Sequence, residues 1–461
     1  MNVLLFVASG NDELEVNMRK IIGLILTLAL VVSMVACSNN KASNNQPTDK
    51  DNTSNEGKDN TNGSSNEKKT ITIWRGQGTD FEEEFYNEQI EKFNAQSTTT
   101  EVKYEVFPYN DFATTVRSAI STDSLPDIIY VDGTEIGNLA FLEALAPLDE
   151  YLDENFISQY TPSAFYKVGD KTYGVAQQDG GLAFWANKTY LDKAGVRIAT
   201  YEKPWDKEEF LDALEKLQAL DEVEYALDMK TNWGNGYVVY AWQPLIKSLG
   251  ADWYNSETIK ATGTLDSQAM VDAMTFMKSL VDKGYVNAME TVDTAFKDGT
   301  SALDLTGHWN YNDYSAALGD NLVLIPLPDL GNGSFTGIGG LPFAATSTAL
   351  KNGTVENCAE FIKYALGEEF QKKINDVNGS LPVMKNVLNS QPNLQEGGPL
   401  YLYAQQLMGG KYAVRPISPA FPTYQAEVGT AAFDIFAGAD IKQTLTKAAT
   451  AIDKVIEENG Y

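Results

Sequence analysis

At Thr70 the chain changes character, and that change decides what part of it can fold. Residues 38–69, SNNKASNNQPTDKDNTSNEGKDNTNGSSNEKK, hold no aliphatic or aromatic side chain larger than Ala42. Such a stretch cannot bury enough apolar surface to offset the entropy of ordering, so it is expected to stay disordered and serve as a spacer. After it, short strands and amphipathic helices alternate. Ile71, Ile73 and Trp74 read as a strand, and Gly76 and Gly78 mark a turn. Thr79 or Asp80 can cap the next helix, whose apolar stripe is Phe81, Phe85, Ile90 and Phe93. Val102, Tyr104 and Val106 alternate with Lys103 and Glu105 as a strand, and Asn110 opens a helix to Ala119. Residues 127–131 form an apolar strand that Asp132-Gly133 ends. This order predicts an α/β fold with a largely parallel sheet.

Ahead of the spacer, residues 21–36 read IIGLILTLALVVSMVA, preceded by Arg19 and Lys20. A basic start, an apolar run and small residues at its end describe a secretory signal peptide, and the run is shorter than the roughly 20 residues of a full membrane span. Val35-Ala36-Cys37 resembles the lipobox of bacterial lipoproteins, with Met34 where Leu is usual. The resemblance implies cleavage before Cys37 and a diacylglycerol on its sulfur. Asp12, Glu13 and Glu15 are out of place ahead of a signal core, so translation is expected to start at Met18 and residues 1–17 to be a mis-assigned start. Asp49, Asp51 and Asp59 do not match the spacing of a calcium loop.

The formal net charge of -28, with no Lys/Arg run beyond pairs, argues against a nucleic-acid partner. Cys37 and Cys358 are too few and too distant for a disulfide framework. A single histidine, His308, leaves no Cys/His zinc set, and triad chemistry would have to run through that one imidazole. Gly337-Ile338-Gly339-Gly340 lacks the dinucleotide fingerprint and is followed by Leu341-Pro342 where a helix should start, so no cofactor is expected. Cys358, beside Phe361 and Ile362, reads as a small buried hydrophobe.

A chain of 461 residues predicts two domains. Tyr166–Val175 reads as a hairpin turning at Gly169-Asp170. Asp206 and Glu209 form a capping box ahead of Phe210, Leu211, Leu214 and Leu217. Met270, Ala273, Met274, Met277, Leu280 and Val281 make a helical core stripe that Gly284 stops. Helices are expected at 358–365, 425–437 and 441–457, with a turn at 379–382.

The order of motifs resembles the extracellular solute-binding proteins of bacterial ABC importers, in the sugar-binding branch that includes maltose-binding protein. The resemblance runs from Thr70 to Tyr461 and rests on ITIW (71–74), LPDIIYVDG (125–133), DKTYGVAQQDGGLAFWANKTYLDKAGV (170–196), PWDKEEF (204–210), TAFKDGTSALDLTGHW (294–309), FTGIGGLPFAATS (335–347) and NGSLPVMK (378–385). It implies the two-lobed, type II periplasmic-binding-protein-like fold, with a ligand cleft between lobes joined by crossover hinge strands. Mapped here, lobe one is 70–182 plus 337–390 and lobe two is 183–336 plus 391–461. Ala176 replaces a proline common in the family, which loosens the register at the first hinge.

A sugar offers hydroxyls and apolar C–H faces, so it calls for aromatic platforms and a few acceptors. Trp74, Trp185, Trp233, Trp242, Trp309, Tyr311 and Tyr424 stand beside turns. The resemblance selects Trp309 as a stacking residue, Asp132 as an acidic contact, and Gln178 or Asp179 as a polar contact near the hinge. It places Trp233 and Tyr237 in lobe two, with Tyr424 completing the cleft. Arg75, Gly76 and His308 are further candidates, His308 as a donor to a hydroxyl, and Arg415 is one if the sugar is acidic. The implied protein is not an enzyme. It is a monomer anchored to the outer face of a Gram-positive membrane, delivering a carbohydrate to permease subunits. A surface-anchored glycoside hydrolase, a binder of a non-sugar solute and a purely adhesive protein are the alternatives.

Overall fold

The computed structural model describes residues 68–255, 258–413 and 415–460. The signal peptide, Cys37 and the spacer as far as residue 67 lie outside the described residues.

The first sheet is built from β1 (Lys69–Gly76), β2 (Thr100–Phe107), β3 (Ile128–Tyr130), β4 (Phe165–Val168) and β5 (Lys171–Ala176), joined late in the chain by β12 (Pro342–Ala345). Its order is β2-β1-β3-β12-β5-β4. β1 runs parallel to β2 and β3, while β12 is antiparallel to both β3 and β5. The sheet is therefore mixed rather than largely parallel. The β4–β5 hairpin must be antiparallel, and β12 enters the sheet only after the chain has returned from a second one. Ile71, Ile73 and Phe343 pack under Phe85 and Phe93 of the helix Asp80–Gln96. Phe361 and Phe370, from the helices Val355–Ala365 and Glu368–Asn378, close the same core. Cys358 is buried there.

The second sheet contains β7 (Leu182–Asn187), β8 (Tyr225–Asp228), β9 (Ser301–Gly307) and β10 (Leu322–Ile325), in the order β10-β7-β9-β8. Every residue of β9 is buried, as expected of a strand covered on both faces. Phe184, Leu303 and Leu305 meet Trp205, Phe210 and Trp242, and the Met270, Met274 and Met277 stripe lies in this core. Ile435 and Ile452, from the helices Phe421–Phe436 and Ile441–Glu458, complete it. Each such side chain contributes about 1.5–3 kcal/mol on burial.

Short strands carry the chain between the sheets. β6 (Gln178–Asp179) leads out of the first sheet and pairs with β13 (Leu381–Pro382). β11 (Thr336–Gly337) leads back and pairs with β14 (Tyr412–Ala413).

Local signals explain several element ends. Thr79 with Glu82, and Asp206 with Glu209, form complete capping boxes. Gly169 turns the β4–β5 hairpin at φ +59°. Some details depart from the sequence reading. Phe81, in the first turn of its helix, is 73% exposed and leaves the stripe to Phe85, Ile90 and Phe93. The helix expected from Asn110 begins at Tyr109, led in by Pro108. The segment expected as a turn at 379–382 ends a helix at Gly379 and continues as β13. Among the described residues, no helix is long and apolar enough to cross a membrane.

Candidate functional site

A cavity of about 950 Å³ lies where β3, β6, β9 and β11 end, lined by residues from both sheets and from the connections between them. One wall is aromatic. After β8 the chain turns through Lys230, held at φ +51°, into the turn Thr231–Trp233 and the helix Asn235–Ala241. Lys230 is fully buried, with Nζ 2.8 Å from Asp228 and 2.7 Å from Asp304. Burial opposes its charge, but the two carboxylates outweigh that and keep the ammonium protonated. Burial pushes the Asp304 carboxyl up, and the Tyr314 hydroxyl donates to it at 3.0 Å. The Lys230 ammonium lies 5.6 Å from the Trp233 ring, and Trp233 Nε1 donates to Asp293 at 2.8 Å. This anchored turn starts a row of rings. Trp233 meets Tyr237 at 4.7 Å, Tyr237 meets Tyr240 at 6.2 Å, and Tyr240 meets Trp309 at 6.3 Å between centroids. Trp309 folds back over Gly307, where a Cβ would stand 2.1 Å from the indole. The Gly-His-Trp sequence is thus what lets the ring lie there.

The floor is polar. Asp179 Oδ1 accepts from the backbone N–H of Gly180 at 2.8 Å and of Gly339 at 3.2 Å. Asp179 Oδ2 and Gln178 Oε1 are buried without a hydrogen-bond partner among the described residues. Burial pushes the Asp179 carboxyl up to about 6, against the backbone N–H groups of Gly180 and Gly339 that hold Oδ1. His308 Nδ1 lies 3.1 Å from the Asn378 carbonyl oxygen, which can only accept, so the ring proton sits on Nδ1. Burial pulls His308 down to about 4, so the ring is neutral and Nε2 is an acceptor. A Cβ on Gly180 would stand 3.4 Å from the Tyr240 hydroxyl and 3.6 Å from His308 Nε2, so the missing side chain leaves this space open.

The charged groups at the rim are largely paired. Arg415 grips Asp132 through both terminal nitrogens, at 2.9 and 3.1 Å, and lies 4.5 Å above the Tyr240 ring. Asp132 also accepts from the backbone and hydroxyl of Thr134. Arg117 pairs with Glu135 at 3.6 Å. Glu82 accepts from the Asn378 amide at 2.8 Å.

Eight of the residues singled out in the sequence line this cavity: Asp132, Gln178, Asp179, Trp233, Tyr237, His308, Trp309 and Arg415. His308 differs in one respect, since it offers an acceptor where a donor was expected. Arg75, Gly76 and Tyr424 do not line the cavity, nor do Trp74, Trp185, Trp242 and Tyr311. Arg75 is buried beside it, paired with Glu82 and Glu83 and stacked 4.3 Å over Tyr86. Gly76 packs against Tyr109 and Phe112. Tyr424 has no exposed surface and packs edge-on against Tyr254 at 5.9 Å, because its helix starts at Phe421 and turns it into the core. Trp185 and Trp242 are likewise core. Tyr240 and Asn378 were missed. Tyr240 carried a usable signal, since it lies three residues after Tyr237 on one helical face. Among the described residues, no group of three metal-ligating side chains comes together.

A two-sheet protein with crossing strands and a cleft between them is the architecture of a type II solute-binding protein. The chain belongs to the bacterial extracellular solute-binding protein family, whose sequence profile matches residues 88–397. Among solved structures it is similar to the GacH receptor of Streptomyces glaucescens, crystallised unliganded and with acarbose. The TM-score is 0.71 and the identity 22%, over 84% of this chain and 98% of that one. The arabinooligosaccharide-binding protein of Halalkalibacterium halodurans is 22% identical over 320 residues, 65% of this chain and 67% of its own. A Brucella abortus protein named as a binding protein is 23% identical over 236 residues, which is 48% of this chain. The chain spans about half the length of that relative, 54%.

Proposed function

We propose that the protein is a sugar receptor: it takes an oligosaccharide into the cleft, closes on it and hands it to the permease of an ABC importer. The observation that carries this is the row Trp233–Tyr237–Tyr240–Trp309 facing the unpartnered acceptors of Gln178 and Asp179 across one cavity. Rings stack on the C–H faces of a pyranose while acceptors take its hydroxyls. A volume of about 950 Å³ suits more than a monosaccharide, lying near the top of the range for small-molecule sites. The oligosaccharide-binding relative supports the same ligand class.

Lobe one is residues 70–182 plus 337–390, and lobe two is 183–336 plus 391–461. Closure about β6 and β11 follows the hinge mode of two-domain receptors. The protein works as a monomer, held at the outer face of a Gram-positive membrane by a diacylated Cys37. One acyl chain anchors only marginally, so the diacyl form is part of the proposal.

Calorimetry against mono- and oligosaccharides tests the reading, with one-to-one binding of an oligosaccharide expected. Binding confined to peptides, polyamines or metal ions would overturn it. The cavity also holds the carboxylates Glu82, Asp132, Glu135 and Asp179, so a glycoside hydrolase is the second reading. Turnover of the bound oligosaccharide at catalytic protein levels would establish that activity instead.

A further inference from the structure

We infer that the cleft floor selects uncharged, hydroxyl-bearing sugars and refuses the corresponding uronic acids; this rests on the sugar reading above. Two guanidinium groups line the cavity, and each has a carboxylate partner, tightly for Arg415 and loosely for the 39% exposed Arg117. Arg415 is held by Asp132 through two parallel bonds, and Arg117 lies 3.6 Å from Glu135. Asp132 is itself fixed by the Thr134 N–H and hydroxyl, so it cannot swing away and free Arg415 cheaply. Planar two-bond pairs of this kind are the strongest that arginine makes with a carboxylate.

The floor leaves buried acceptors unspent. Gln178 Oε1 and Asp179 Oδ2 are buried and unpartnered among the described residues. His308 has placed its proton against Asn378, and its Nε2 lies beside the space above Gly180. An acceptor left dry costs stability, so a ligand that supplies hydroxyl donors recovers what the empty site loses. A ligand carboxylate supplies no proton there. It would lie against the Asp179 carboxylate, while the nearer guanidinium, Arg415, is already bonded twice to Asp132.

The experiment is calorimetry on the full chain with matched pairs that differ only at C6: maltotriose against α-1,4-linked triglucuronate, cellotriose against β-1,4-linked triglucuronate, and mannotriose against trimannuronate. The titrations are run at 0.15 M and at 1 M salt. At 1 M the Debye length is about 3 Å, so the overall charge of -28 no longer matters and only the local floor discriminates. The expected result is that a neutral sugar binds and its acidic partner binds at least tenfold more weakly at both salt concentrations. An acidic sugar bound within tenfold of its neutral partner, or more tightly, overturns the inference and leaves the sugar reading intact. Discrimination that drops below tenfold at 1 M salt also overturns it, since net charge rather than the floor would then be responsible. If no saccharide of either kind binds, the sugar reading falls and this inference falls with it.

Discussion

Asp179→Asn should make the protein more stable and a worse receptor. Asp179 is 2% exposed, and burial holds its carboxyl at about 6 in the folded protein against about 3.9 in an unfolded chain. The folded state therefore binds the proton more tightly than the unfolded state does. Stability from this group falls as pH rises from about 4 to about 6, and the cost is fully present above that window. Two pKa units correspond to about 3 kcal/mol. An asparagine keeps an oxygen for the N–H groups of Gly180 and Gly339 and removes the buried charge, so at pH 7 it should recover up to that amount. At pH 4 it should recover almost none. Binding moves the other way. A ligand hydroxyl loses a charge-assisted bond to Oδ2, on the order of 1.5–3 kcal/mol, or about ten- to a hundredfold in Kd. Native affinity should itself weaken about tenfold at pH 5, as Asp179 takes up its proton beside Arg415, Tyr166 and Tyr240. Urea unfolding at pH 7 and pH 4 reads the stability, and calorimetry with the bound saccharide reads the affinity. A variant less stable than the native chain at pH 7, or one that keeps its affinity within twofold, would refute the claim that this carboxylate is kept for a ligand.

Three further outcomes are expected. Gly307→Ala puts a methyl 2.1 Å from the resting Trp309 indole, so the ring must leave the wall; saccharide affinity should drop tenfold or more, about 1.4 kcal/mol, and unchanged calorimetry would show that Trp309 does not stack on ligand. Lys230→Met leaves Asp228 and Asp304 buried without their cation, and urea unfolding at pH 7 should show a loss of about 3–5 kcal/mol; a loss under about 1 kcal/mol would mean the cluster is not what holds the Trp233 turn. Cys37→Ala should release the protein into the medium, and retention in the membrane fraction would show instead that the apolar run of residues 21–36 stays attached as the anchor.

The parts of the fold legible in the sequence are those decided by neighbours in the chain. The Asp206–Glu209 capping box, the Gly169 turn and the methionine stripe each follow from residues a few positions apart. The strand order was not legible, because β12 reaches its place between β3 and β5 from more than a hundred residues away. The same division governs the site. Trp309 could be singled out because Gly307 and the ring it admits are neighbours. Tyr424 looked equally eligible, yet its position depends on Tyr254 and on where a helix begins, and those contacts make it core. The chemistry of His308 depends on a carbonyl 70 residues later, which accepts from Nδ1–H and so leaves Nε2 an acceptor where a donor is expected. Arg415 shows the consequence for ligand choice. As a lone cation in a sequence it suggests an acidic ligand. Bonded twice to Asp132, 283 positions away, it is already held by one carboxylate, and the selectivity of the floor passes to Gln178, Asp179 and His308.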